Sequence, residues 1–194
     1  MNGHVDLGIG AEPPSARRQD AYFASLMAPP GQRPRLALVW ELEDRLATIL
    51  PHAEEAHIPL IKLAWWRDTL AELGKGRHAG EPLLERIQSD LPTGTYPLLA
   101  GLAEAHMDRI EHGDDIPAVR ALLIAGSHIC GVSPDWIPDK TSDAQRVTVP
   151  KAVRPFSAVL AAAPVRDRLP TRRHVAMLAH NLTGRMTLRA GMLG

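Results

Sequence analysis

The sequence predicts an all-α fold, a single-domain helical bundle. Three observations carry this. Apolar residues recur at three- and four-residue spacing over long stretches, no segment alternates apolar and polar for long enough to read as a strand, and proline and glycine punctuate the junctions. A chain of 194 residues with 45% hydrophobic content is long enough to bury one sizeable core. Residues 1–14, rich in glycine and ending in Pro13 and Pro14, read as a flexible N-terminal arm, which leaves 15–194 as the helical domain.

Each element follows from local chemistry. Ser15 can cap a helix through Ala28, which Pro29, Pro30 and Gly31 end. The next runs from Gln32 to Leu50, with Pro34 in the first turn, where its missing N–H costs nothing. Leu36, Val39, Leu42, Leu46, Ile49 and Leu50 give it a broad apolar face, and Glu41, Glu43, Asp44 and Arg45 take the remainder. A helix from Pro51 to Leu73 follows, with a kink expected at Pro59 and a stop at Gly74 to Gly76. Shorter helices are expected over Glu81–Ser89, Tyr96–Glu111, Pro117–Cys130, Lys151–Ala163 and Thr171–Arg185.

Composition excludes several function classes. Lys and Arg (22) balance Asp and Glu (22), so bulk charge gives no support to nucleic-acid binding. The single Cys130 sits in an apolar context, where a buried, inert thiol is expected and a reducing cytoplasm suits it. The first residues carry neither a basic nor an apolar leader, and no run of about 18 apolar residues predicts a membrane span. Peripheral membrane contact stays open. Neither a serine nucleophile elbow nor a phosphate-cradling glycine loop nor a zinc-type cysteine cluster is present. Among the nine histidines, His52 and His57, His106 and His112, and His174 and His180 are five or six apart, which is not the spacing of a shared metal face.

Four blocks carry a family resemblance. The first joins Asp20, Tyr22, Phe23, Leu26 and Pro29 to Arg33, Pro34 and Leu36. The second and most specific is Ile61-Lys-Leu-Ala-Trp65-Trp66-Arg67-Asp68-Thr-Leu70. The third runs from Asp139 through Asp143 and Arg146 to Pro150, and the fourth from Arg172 to Arg185. Together they resemble the squalene/phytoene synthase family, all-helical enzymes that join two prenyl diphosphates head to head. The family also contains a non-catalytic branch, including a mitochondrial factor needed for assembly of respiratory complex I, whose Trp-Trp-Arg block is similar to this one.

The resemblance implies a definite chemical demand. Ionising an allylic diphosphate calls for Mg²⁺, and Mg²⁺ calls for several oxygen ligands. In the family these come from paired aspartates four apart on two facing helices. Where the first pair should fall, Trp40 to Ile49 offers only Glu41 and Asp44, or Glu43, with no second acid over 45–49. The second pair, Asp139 and Asp143, keeps its spacing, but Pro138 precedes it and predicts a helix starting there, with Asp139 as a first-turn acid. Relative to the family the chain is also short between Arg109 and Pro134.

The tryptophan block admits two roles. Leu63, Trp66, Leu70 and Leu73 share one helical face, with Trp65 about 100° away. Trp66 either packs in the core or, with Trp40, lines a prenyl or lipid pocket that Lys62 or Arg67 closes with a cation for a phosphate. The expected function is a non-catalytic member of the family that binds a lipid-like ligand or a protein partner, with no cofactor. The alternative is a Mg²⁺-dependent prenyl transferase of isoprenoid, carotenoid or hopanoid synthesis, with Glu41, Asp44, Asp139 and Asp143 as metal ligands. A shortened bundle is further expected to leave an apolar face for a homodimer or partner.

Overall fold

The computed structural model describes residues 16–49, 57–76, 80–139 and 144–193. Among the described residues eight α-helices follow in chain order: α1 (Ala16–Ser25), α2 (Arg33–Ala47), α3 (His57–Glu72), α4 (Pro82–Asp90), α5 (Tyr96–His112), α6 (Ile116–Ile129), α7 (Arg154–Ala161) and α8 (Pro170–Thr183). A proline occupies the first turn of α2, α4, α5, α6, α7 and α8, where the helix has no use for its missing donor. Gly113 and Gly184 end α5 and α8 in the left-handed conformation, each donating its N–H to a carbonyl of the last turn.

Helix α2 is the centre of the bundle. Its expected apolar face is buried at Leu36, Val39, Leu42 and Leu46, but Leu38, Trp40 and Glu43 are buried as well, so neighbours cover most of its circumference. It packs on α1, α4, α5 and α6, while α5 lies between α3 and α6, and α7 packs on α1 and α8. Trp40 stands against Phe156 of α7, ring centroids 5.2 Å apart, and donates its indole N–H to the Phe156 carbonyl at 3.3 Å. Phe156 in turn lies flat over Gly126 of α6, where any side chain would collide with the ring.

The face expected of α3 is the one it buries, namely Leu63, Trp66 and Leu70, continued by Leu73 in the following turn. Pro59 is buried near the start of α3, which is described from His57 on; the preceding part of the expected helix, and with it the kink expected at Pro59, involves residues 51–56, which lie outside the described residues.

Two expectations are corrected. Pro138 does not open a helix at Asp139: after a 3₁₀ turn at Pro134–Trp136 the chain is extended at Ile137 and irregular through Asp139. A strand pair is also present. Strand β1 (Gln145–Thr148) pairs antiparallel with β2 (Arg185–Leu188), Val147 facing Met186 and Arg146 facing Thr187. Val147, Met186 and Leu188 point into the core, while Arg146, Arg185 and Thr187 point out. At four residues each, the strands are too short for alternation to register against helical periodicity. Among the described residues, no helix is long and apolar enough to cross a membrane.

The chain after β2 is drawn back into the bundle. Both Asp115 carboxylate oxygens accept backbone N–H groups, from Gly191 at 2.7 Å and Leu193 at 2.8 Å. Arg166 donates to the Met192 carbonyl, and Arg17 of α1 to the Leu193 carbonyl at 2.6 Å. Asp20 of α1 is held by Arg173 of α8 at 2.8 Å, a second tie between the two ends of the fold.

Candidate functional site

Beside the tryptophan block lies an open, largely apolar groove of about 700 Å³ between the end of α2 and the start of α3. Ile49, Ile58, Ile61 and both Trp65 and Trp66 line it, with Arg45, Lys62 and Glu81 at its rim. The two indoles meet edge to face, centroids 5.2 Å apart and planes at 82°. Trp66 is a core residue whose edge reaches the groove, whereas Trp65 is 41% exposed. An exposed indole beside three isoleucines offers a large apolar contact surface at low entropic cost. Arg45 is drawn toward Glu81 at 3.7 Å, and Lys62 makes no ion pair among the described residues.

The other residues proposed for ligand contact go elsewhere. Trp40 is buried against Phe156, away from the groove. Arg67 turns to its neighbour Asp68 at 2.8 Å on the exposed side of α3. Of the four residues Trp40, Lys62, Trp66 and Arg67, the structure brings only Lys62 and Trp66 together, and it adds Trp65, Arg45 and the three isoleucines.

Carboxylates expected to hold Mg²⁺ are engaged by arginines. Arg86 Nη1 lies 2.9 Å from both Glu41 oxygens, and Arg18 is 3.3 Å from Glu41 and 3.9 Å from Asp44. Asp139 is fully exposed, 3.5 Å from Arg120, and Asp143 lies outside the described residues. Among the described residues one group of three metal-type side chains has its ligand atoms within 4.8 Å of one another: the exposed trio Asp108, Glu111 and His112 at the end of α5. Neither Glu41, Asp44 nor Asp139 belongs to it. Of the four expected ligands, the described ones Glu41, Asp44 and Asp139 each lie beside an arginine. The signal for that trio was the spacing of His112 from Asp108 and Glu111, which comparing histidines only with one another misses.

Glu43 is the acid the sequence placed wrongly. It is fully buried, accepting from Arg17 at 3.3 Å and paired with His106 Nε2 at 2.8 Å, so it joins α1, α2 and α5 through one carboxylate. Burying a carboxylate without such partners would cost several kcal/mol, roughly. Beside it a smaller cavity of about 300 Å³ is lined by Arg17, Asp20, Asp44, Arg109 and Arg166. Burial, and then the positive charge of Arg17, hold the Arg166 guanidinium below its ordinary range.

One serine–histidine pair deserves comparison with a nucleophilic site. Ser157 Oγ lies 2.8 Å from His180 Nε2, and His180 Nδ1 lies 3.0 Å from the Arg185 carbonyl. That carbonyl accepts the Nδ1 proton, which leaves Nε2 to receive a hydrogen bond from the hydroxyl. Burial, and secondarily the charge on Arg154, lower the His180 pKa and favour this neutral form, although the bond to Arg185 opposes the shift. Both side chains are buried, so the pair fastens α7 to the end of α8 and offers no nucleophile to solvent. Cys130 is half-buried where full burial was expected, and burial pushes its thiol up to about 11.

Comparison with known families, characterised proteins and solved structures finds no match for the chain. The functional reading rests on the geometry above.

Proposed function

We propose that the chain is a non-catalytic protein on a squalene/phytoene synthase-like helical scaffold, and that it holds a lipid-like ligand in the Trp65–Trp66 groove. The observation that carries this is the pairing of an exposed indole and three isoleucines with Lys62, which makes no ion pair among the described residues. An apolar chain would lie against Trp65, Ile58 and Ile61, and an anionic head would meet Lys62 and Arg45. The prenyl transferase alternative needs carboxylates free to bind metal, and on α2 Glu41 and Asp44 are engaged by Arg18 and Arg86, and Glu43 by Arg17 and His106.

The test is a fluorescence titration with farnesyl diphosphate, and separately with oleate, in the absence of metal. Trp65 is the exposed member of the indole pair, so binding shifts emission to the blue, and Trp65→Ala removes the response. Lys62→Gln weakens both probes while leaving the apolar contact. A response that survives Trp65→Ala unchanged would sink the groove assignment. Release of inorganic diphosphate from farnesyl diphosphate with Mg²⁺ would replace the reading by the transferase alternative.

A further inference from the structure

We propose that α8 and the ribbon that follows it form a docking face for an anionic lipid bilayer, separate from the Trp65 groove and independent of what that groove binds. Two observations meet here. The first is an apolar stripe that none of the described residues covers. Val175, Leu178 and Leu182 are 59%, 46% and 79% exposed, and their spacing of three and four places them on one side of α8. The opposite side is the buried one, fixed by Arg173 on Asp20, by Met177 in the core and by His180 on Ser157. The helix is thus anchored so that it presents the stripe outward. Leu169, just before the helix, is also 72% exposed.

The second observation is charge. The chain is neutral as a whole, yet residues 144–193 contain nine lysines and arginines against one acid, Asp167. Arg172 is three residues before Val175 and borders the stripe; Arg185 follows three residues after Leu182. Arg146, Arg185 and Arg189 line an open groove of about 790 Å³ between the ribbon and the end of α7, with no carboxylate among its described lining residues. Among the described residues, Arg146, Arg172, Arg185 and Arg189 form no ion pair, in contrast to Arg17, Arg18, Arg86 and Arg173 elsewhere in the fold.

A membrane surface rewards both features at once. Aliphatic side chains on one face of a helix enter the boundary between headgroups and acyl chains, and flanking arginines meet lipid phosphates with paired donors. A nucleic-acid backbone would reward the arginines but leave Leu178 and Leu182 against water and phosphate. A second copy of this chain would cover the leucines but bring two arginine-rich surfaces face to face.

The test is co-sedimentation of the full chain with vesicles of phosphatidylcholine alone and of phosphatidylcholine mixed with phosphatidylserine. Binding is expected to the mixed vesicles and to fall with added salt. Leu178→Ser with Leu182→Ser should abolish it, and each of Arg172→Gln and Arg185→Gln should weaken it about fivefold. Tyr22→Ser, an exposed apolar change on α1, should bind like wild type, and unchanged circular dichroism of every variant shows that the fold is intact. The proposal is overturned by equal binding to neutral vesicles, by no binding to either, or by binding that survives loss of both leucines. It is overturned equally by a wild-type dimer in light scattering that the leucine changes dissociate. RNA binding that ignores those leucines, with no vesicle binding, would reassign the arginines.

Discussion

Replacing Gly126 by alanine should destabilise the fold even though alanine is the better helix former. At this position an added Cβ would sit 2.2 Å from Phe156 Cδ1 and 2.3 Å from Cε1, against roughly 3.5 Å for an ordinary carbon contact. The ring cannot simply swing away, because Trp40 packs on it at 5.2 Å and hydrogen-bonds the Phe156 carbonyl. Overpacking of this kind costs about 1–3 kcal/mol, and a contact this short belongs at the upper end. Helix propensity returns about 1 kcal/mol. The net loss is then about 2 kcal/mol, or roughly 4–8 °C in Tm for a chain of this size. Gly101 is the internal control: it lies within α5 and an added Cβ meets nothing within 4 Å. Gly101→Ala should therefore stabilise by about 0.4–1 kcal/mol. Urea unfolding followed by circular dichroism measures both. A Gly126→Ala protein as stable as Gly101→Ala would mean that α6 and α7 do not meet through Phe156, and the reasoning would fail.

Glu43→Gln keeps the shape of the side chain but removes the charge that joins Arg17 and His106, and should cost about 3 kcal/mol, the lower end for breaking a buried pair because Arg17 keeps its bond to the Leu193 carbonyl. A loss under about 1 kcal/mol in urea unfolding would mean that water already reaches the carboxylate. His180 should make stability depend on pH: its pKa is lowered by folding, so the unfolded chain takes up the proton first, and the stability it contributes is present above about pH 6.5 and is lost as pH falls through the folded value. The urea midpoint of the wild type should drop more steeply than that of His180→Gln over this range; parallel curves would refute the assignment. Cys130, with its thiol held near 11, should alkylate far more slowly at neutral pH than a free thiol, and an equal rate in the native protein would show that the site opens readily.

The helices were legible in the sequence because their signals are local. Prolines at 34, 97 and 117 and glycines at 76 and 113 mark helix ends by backbone chemistry alone, and the Leu63, Trp66, Leu70 and Leu73 face follows from one period, whereas the helix expected through Arg185 stops at Thr183 with Gly184 left-handed after it. The tertiary setting of polar residues was not legible. Glu43 has acids or arginine around it in sequence at 41, 44 and 45, and reads as part of a solvated face. Only the packing of α1 and α5 on α2 makes it the buried member of that group. The groove shows the same division. Trp65, Trp66 and Lys62 stood out as a block, whereas Arg45 and Ile49 join them because the end of α2 meets the start of α3. Trp40 shared a composition signal with the block and ended in the core, since identity alone does not say which side of a central helix an indole takes.

The tie between Arg17 and the Leu193 carbonyl spans 176 residues. Its consequence is temporal. During synthesis α1 and α2 emerge first, but Arg17, Arg166 and Asp115 cannot complete their hydrogen bonds until residues 191–193 have left the ribosome. Contacts of such sequence separation form late and slow the final step of folding. Until then the region around Glu43 lacks part of its polar partnership, and a nascent chain halted before residue 191 should remain loosely packed and open to proteolysis there.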